Sequence, residues 1–166
     1  MRRILLVSVV AWICFPWLSG IDTASAVPPV PTAPVTTING SAPPGTVAPL
    51  VDMSTMIDTV QADGNRLVVW QGTRTVGTRA PIHVHDFGGH TCVLSGTMTD
   101  FLEGHEPMVF PAGTCYYMPP NTPMTAANLG LDDARLIDTF VLPPGAPTIT
   151  VLEPNWPYSA SPDASG

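Results

Sequence analysis

No stretch of this chain carries an apolar repeat of helical period over a useful length, and its 20 prolines leave few windows in which a helix would survive. What recurs instead is a series of short runs rich in β-branched and aromatic residues, at 56–60, 66–70, 82–85, 91–94, 97–102, 108–110, 115–118, 135–142 and 148–152. Gly, Pro and Asn separate them, as at Asp63-Gly64-Asn65 and Pro119-Pro120-Asn121. This pattern predicts an all-β fold, a jelly roll or small barrel, over residues 55–153.

The two ends differ in composition from that centre. Residues 1–26 begin with Arg2 and Arg3, continue with an apolar run from Ile4 to Leu18 and end at Ala24-Ser25-Ala26. That is the pattern of a secretory signal peptide cut near Ala26, which places the mature chain in a secreted or extracytoplasmic location with no stable membrane span. Residues 27–50 hold no charge and are rich in proline, so they read as a disordered spacer, either a tether or a solubilising leader. Residues 155–166 read as a flexible tail, from which Trp156 and Tyr158 can pack back onto the domain.

There is no lysine, and loss of Arg2, Arg3 and Asp22 with the leader takes the formal net charge from −7 to −8. An acidic surface of this kind repels phosphate backbones, which argues against nucleic acid as a partner. No nucleotide fingerprint, nucleophile elbow or Ser-His-Asp pattern is present. Glu103 and Glu106, which flank His105, read as a solvated loop.

The chemistry is concentrated in residues 77–96, GTRAPIHVHDFGGHTCVLSG. On a strand, His83 and His85 project to one face with Val84 on the other, and imidazoles so placed can converge on one divalent metal. If residues 90–95 form a strand, His90, Cys92 and Leu94 share one face and Thr91, Val93 and Ser95 the other. The first set is the more apolar, so it is expected to point inward and bring His90 to His83 and His85.

The frame around these histidines resembles the cupin superfamily, in its small single-domain, RmlC-like form. Gly77, the five residues after it, His83-Val84-His85 and the closing Gly96 match the first cupin motif, and Gly113, Pro119 and Asn128 match the second. The resemblance covers roughly residues 55–144 and implies a double-stranded β-helix, or jelly-roll barrel, that often forms a homodimer through its sheet edges. The motifs are degenerate. The glutamate of the first motif falls on Gly89 or His90, and in the second motif Asn121 stands for Gly and Met124 for His. A set of His83, His85 and His90, with Met124 as a soft fourth ligand or as gap-filling core, suits Zn or Cu, while Fe, Mn and Ni remain open.

Three further positions are candidates for the pocket wall. Cys92 reads as a partner of Cys115 in a disulfide, as a buried thiol or as a metal ligand. Tyr117, like Tyr116, lines a pocket or fills the core. Asp138 shares a face with Leu136, Phe140 and Leu142, so it either supports a ligand histidine from behind or sits exposed at a bend. The function expected is an exported single-domain cupin that holds a divalent metal, a small-molecule ligand or both in its barrel. The alternatives are a metal-dependent oxygenase or isomerase acting on a small organic molecule, and a metal-free binding or structural envelope protein.

Overall fold

In the computed structural model, which describes residues 29–156, every regular element is a strand. In chain order they are β1 (Thr46–Val47), β2 (Val51–Val60), β3 (Arg66–Arg74), β4 (Thr78–Arg79), β5 (His83–Val84), β6 (Gly89–Ser95), β7 (Thr97–Leu102), β8 (Met108–Pro111), β9 (Cys115–Met118), β10 (Met124–Ala127), β11 (Ala134–Leu142) and β12 (Thr150–Val151). One sheet of five strands runs β2-β3-β11-β6-β9. The other, of seven, runs β1-β4-β10-β5-β12, with β7 pairing β10 and β8 pairing β7. Two sheets whose inner faces close on one core are the jelly roll that the motif frame implied: a cupin-like double-stranded β-helix. The expected signal peptide, and the tail beyond Trp156, lie outside the described residues.

Alternation of side chains builds the core. On β3, Val68, Trp70, Gly72 and Arg74 are buried while the residues between them are half-exposed. On β11, Leu136, Phe140 and Leu142 face the same way, and the register pairs Phe140 with Val68 and Leu136 with Gly72. These residues join Val93, Met98, Leu102, Tyr116, Met118 and Met124 in one cluster. Burying each large member stabilises the fold by roughly 1.5–3 kcal/mol.

The spacer expected over residues 27–50 is built into the barrel from Ile38 onward. Ile38 is buried, Thr46–Val47 pairs in parallel with Thr78–Arg79, and the Asn39 side chain grips the β7–β8 turn. Its Nδ2 donates to the carbonyls of Leu102 and His105, and its Oδ1 accepts from the Gly104 N–H. Absence of charge and abundance of proline are shared by a disordered leader and by a strap that packs with little regular pairing, so composition alone misread this segment. At the other end, Glu153 receives both Nη groups of Arg79, at 2.6 and 2.7 Å, and the Ile82 N–H at 2.7 Å, which pins the chain after β12 to the β4–β5 corner.

Candidate functional site

His83 opens β5, just after Pro81, which lacks an N–H and interrupts the line from β4 to β5. Both His83 and His85 point inward, each 5% exposed, and with one residue between them they share a face. Their outer nitrogens are both committed. His83 Nδ1 lies 2.7 Å from the Pro81 carbonyl oxygen and His85 Nδ1 lies 2.6 Å from that of Thr148. A carbonyl only accepts, so each Nδ1 carries the hydrogen and each neutral ring presents a bare Nε2. These two Nε2 atoms are 3.1 Å apart. Two lone pairs at that distance repel unless a cation lies between them. Burial pushes the His83 ring down to about 3 and the His85 ring to about 4, so a proton is a poor candidate for that cation near neutral pH.

The histidines form part of the wall of a cavity of about 430 Å³, within the roughly 300–1,000 Å³ common for small-molecule sites. Met53, Met98, Met118, Met124 and Phe140 supply much of its apolar lining. Gly72 lets the end of the strap and the start of β2 approach: a Cβ there would meet Met53 Sδ at 2.5 Å and Leu50 Cδ1 at 3.2 Å. Leu50 and Met53 thereby become part of the cavity wall. Trp156 reaches it from the C-terminal side.

Of the residues picked out in sequence, the structure brings His83, His85, Met124 and Asp138 to this cavity. Met124 is fully buried and pairs in register with His83. Asp138 accepts a hydrogen bond from Thr91 Oγ1 at 2.6 Å, and its burial pushes the carboxyl upward.

His90, Tyr117 and Cys92 go elsewhere. His90 is exposed on the outer face of β6, with its ring 5.1 Å from that of Tyr117, which is 53% exposed. Cys92 is bonded to Cys115 on the same outer face. The expected parity of β6 is therefore reversed: Gly89, Thr91 and Val93 point inward. Its register on β11 sets this, because Asp138 pairs with Thr91 and Leu136 with Val93, and the inward row of β11 carries its partners inward. A disulfide and a His–Tyr contact on the outside made the wrong face look apolar.

Sequence reasoning missed Trp70, Arg74, Thr91 and Thr148 as cavity residues. Their signal was faint but present, since Trp70 and Arg74 fall on the inward period of β3. The inward place of Gly89 is also instructive. A Cβ there would meet Phe140 Cδ1 at 2.6 Å and Met118 Cε at 2.9 Å. The space a glutamate would need is thus filled by the Phe140 ring, whose centroid is 5.1 Å from that of His85.

The residues present fit a metal in part. Two nitrogens each about 2.0–2.1 Å from one tetrahedral zinc ion would be separated by roughly 3.3–3.4 Å, and the observed 3.1 Å is slightly shorter. Among the described residues, no group of three or more His, Cys, Asp or Glu is placed to hold a metal ion. Nor is any helix there long and apolar enough to cross a membrane.

No protein-family model and no curated protein matches the chain. Among solved structures it is similar to an RmlC-like cupin family protein with a double-stranded β-helix fold from Methanocaldococcus jannaschii, with 21% identity, 54% of this chain and 78% of that one covered, and a TM-score of 0.47. A second, an uncharacterized conserved protein with a double-stranded β-helix domain from Klebsiella pneumoniae, is 23% identical over 64% of this chain and 90% of that one, with a TM-score of 0.47. A third is a DMSP lyase from Ruegeria pomeroyi, 14% identical, with 60% of this chain and 51% of that one covered and a TM-score of 0.48. These are likenesses of fold.

Proposed function

We propose that this protein is an exported small-molecule-binding barrel in which His83 and His85 hold a divalent transition metal against the bound ligand. The observation that carries the reading is the pair of Nε2 lone pairs facing each other at 3.1 Å while both Nδ1 hydrogens are spent on main-chain carbonyls. Those carbonyls fix tautomer and ring orientation as outer partners of ligand histidines usually do. Two nitrogens leave the remaining coordination positions to ligand atoms and water. Bound there, the metal would act as a Lewis acid on an oxygen of the ligand. The thioethers of Met118 and Met124 in the same wall favour Zn or Cu over harder ions.

Export is supported by the arginine-led apolar leader ending at Ala26 and by the Cys92–Cys115 disulfide, a bond that persists in oxidising compartments. A homodimer would use the long edge strand β2, where Met56, Ile57 and Val60 are exposed.

Equilibrium dialysis of the purified protein with zinc, copper and manganese tests the central reading. One equivalent of zinc or copper should bind, and His83→Ala or His85→Ala should abolish it while His90→Ala and His105→Ala leave it intact. No stoichiometric binding of any of the three ions would refute the metal. N-terminal sequencing of the exported protein should begin near Val27, and an intact Met1 would refute the leader. Light scattering that finds only monomer would refute the dimer.

A further inference from the structure

Besides the histidines, which come from the seven-stranded sheet, the cavity has a second polar face on the five-stranded sheet. The pairing registers align Trp70, Asp138, Thr91 and Tyr116 as one row across β3, β11, β6 and β9. All four line the cavity. Arg74 lies one inward step beyond Gly72 on β3 and lines it too.

The hydrogen-bond inventory of this face is lopsided. Trp70 Nε1 and Arg74 Nε are buried and have no partner, and the same holds for Thr148 Oγ1, beside His85 on the opposite wall. The first two are N–H groups, which can only donate. Arg74 is 5% exposed, yet among the described residues its side chain makes one hydrogen bond, from Nη1 to the Ala48 carbonyl at 2.5 Å, and no ion pair. The one carboxylate in the cavity wall, Asp138, is turned to Thr91. The Asp138 carboxylate favours the Arg74 charge through space but makes no hydrogen bond to it, and orphaned donors around a cavity describe the acceptor that is absent.

We propose that the ligand is a small organic acid whose carboxylate is received by the Arg74 and Trp70 N–H groups and whose apolar body lies among Met53, Met98, Met118 and Phe140. An anion satisfies the guanidinium by charge-assisted hydrogen bonds, which a neutral acceptor does less well. The methionines adapt to irregular apolar shapes, so selectivity resides in the carboxylate rather than in the body. The inference rests on the cavity being a ligand site, and it does not require the metal.

The test compares acids with their neutral isosteres by isothermal titration calorimetry on the full purified protein, both chelator-treated and zinc-loaded. The probes are benzoate, phenylacetate, 3-phenylpropanoate and 4-methylpentanoate, each against its primary amide. At least one acid should bind the metal-free protein about tenfold or more tighter than its amide. Arg74→Gln should reduce that preference to about twofold or less, and Trp70→Phe should weaken the acid by roughly three- to tenfold. Circular dichroism and a cooperative melt identify variants that fold. Should Arg74→Gln fail to fold, Trp70→Phe removes one orphaned donor of the same face without removing a charge, and it carries the test through its roughly three- to tenfold loss of acid affinity. The proposal is overturned if no acid is preferred over its amide, or if the preference survives in the folded variants. Loss of zinc binding with retention of acid preference would refute the metal reading alone, and the converse would refute this one alone.

Discussion

His83 and His85 meet Nε2 to Nε2 at 3.1 Å inside the barrel, each ring held by its Nδ1–H on a main-chain carbonyl. Adjacent strand residues of one parity share a face, so the His-x-His spacing brings the rings together, and the carbonyls decide which nitrogens meet. The pair proposed above to hold a cation is therefore also a liability in acid.

The liability is the first prediction. Burial lowers His83 to about 3 and His85 to about 4, from 6.5 for an unburied ring. Below pH 6.5 the unfolded chain takes up protons that the folded one refuses, so stability falls as pH drops from about 6.5 toward 4. Each ring should contribute a loss of about 2 kcal/mol by pH 5. Urea unfolding at pH 7 and pH 5 checks this. The His83→Leu/His85→Leu variant should show a clearly smaller loss than the parent, and equal losses would contradict the argument.

Gly89 and Phe140 explain the missing carboxylate and give the second prediction. Gly89→Glu alone should destabilise the barrel by roughly 1–3 kcal/mol, because its side chain would enter the Phe140 ring. With Phe140→Ala the space opens beside His85. The Gly89→Glu/Phe140→Ala protein should bind manganese about tenfold or more tighter than Phe140→Ala alone, since a carboxylate suits that harder ion. Dialysis of the two variants side by side decides it.

The sheets were largely legible because alternation and turn residues are local signals. The run at 115–118 became β9 with the same ends, and those at 66–70 and 135–142 became β3 and β11, each extended at one end. The strand β10 was not legible, since Met-Thr-Ala-Ala carries little β-branched content and its pairing with β7 comes from distant residues. At the site, His83 and His85 were legible from spacing alone, whereas the facing of His90 depended on which strand β6 pairs with. A single-strand parity argument cannot see the neighbour that sets its register. Arg74 was hidden for another reason: an arginine at an inward position reads as a surface residue unless the cavity that receives it is known.

The disulfide supplies the third prediction. It joins β6 and β9 on the outer face, closing a separation of 23 residues. Cys92→Ser/Cys115→Ser should lower stability by about 3 kcal/mol on loop-entropy grounds, yet leave metal and acid binding unchanged because neither sulfur touches the cavity. A folded double variant with altered zinc affinity would show that the outer face is coupled to the site.

Asp100 carries the last prediction. It sits on the inward face of β7 between Met98 and Leu102, it is 1% exposed, and neither carboxylate oxygen has a hydrogen-bond partner of ordinary geometry. Burial pushes its carboxyl up to about 7 from 3.8, against a smaller opposing pull from the Phe101 amide. A raised acid has the opposite sign to the buried histidines. Between pH 4 and 7 the folded chain holds a proton that the unfolded chain has released, so this group makes stability fall as pH rises, and above pH 7 the full penalty is present, on the order of 4 kcal/mol. Asp100→Asn keeps the shape and removes the titration. It should be more stable than the parent at pH 8 by a few kcal/mol, with the gap narrowing toward pH 5. Because the histidines push the other way over the acid range, the parent should be most stable between about pH 5 and 7, and Asp100→Asn should move that optimum upward. Chemical denaturation of both proteins from pH 5 to 8 measures the gap directly, and a gap independent of pH would mean that Asp100 does not titrate in this range.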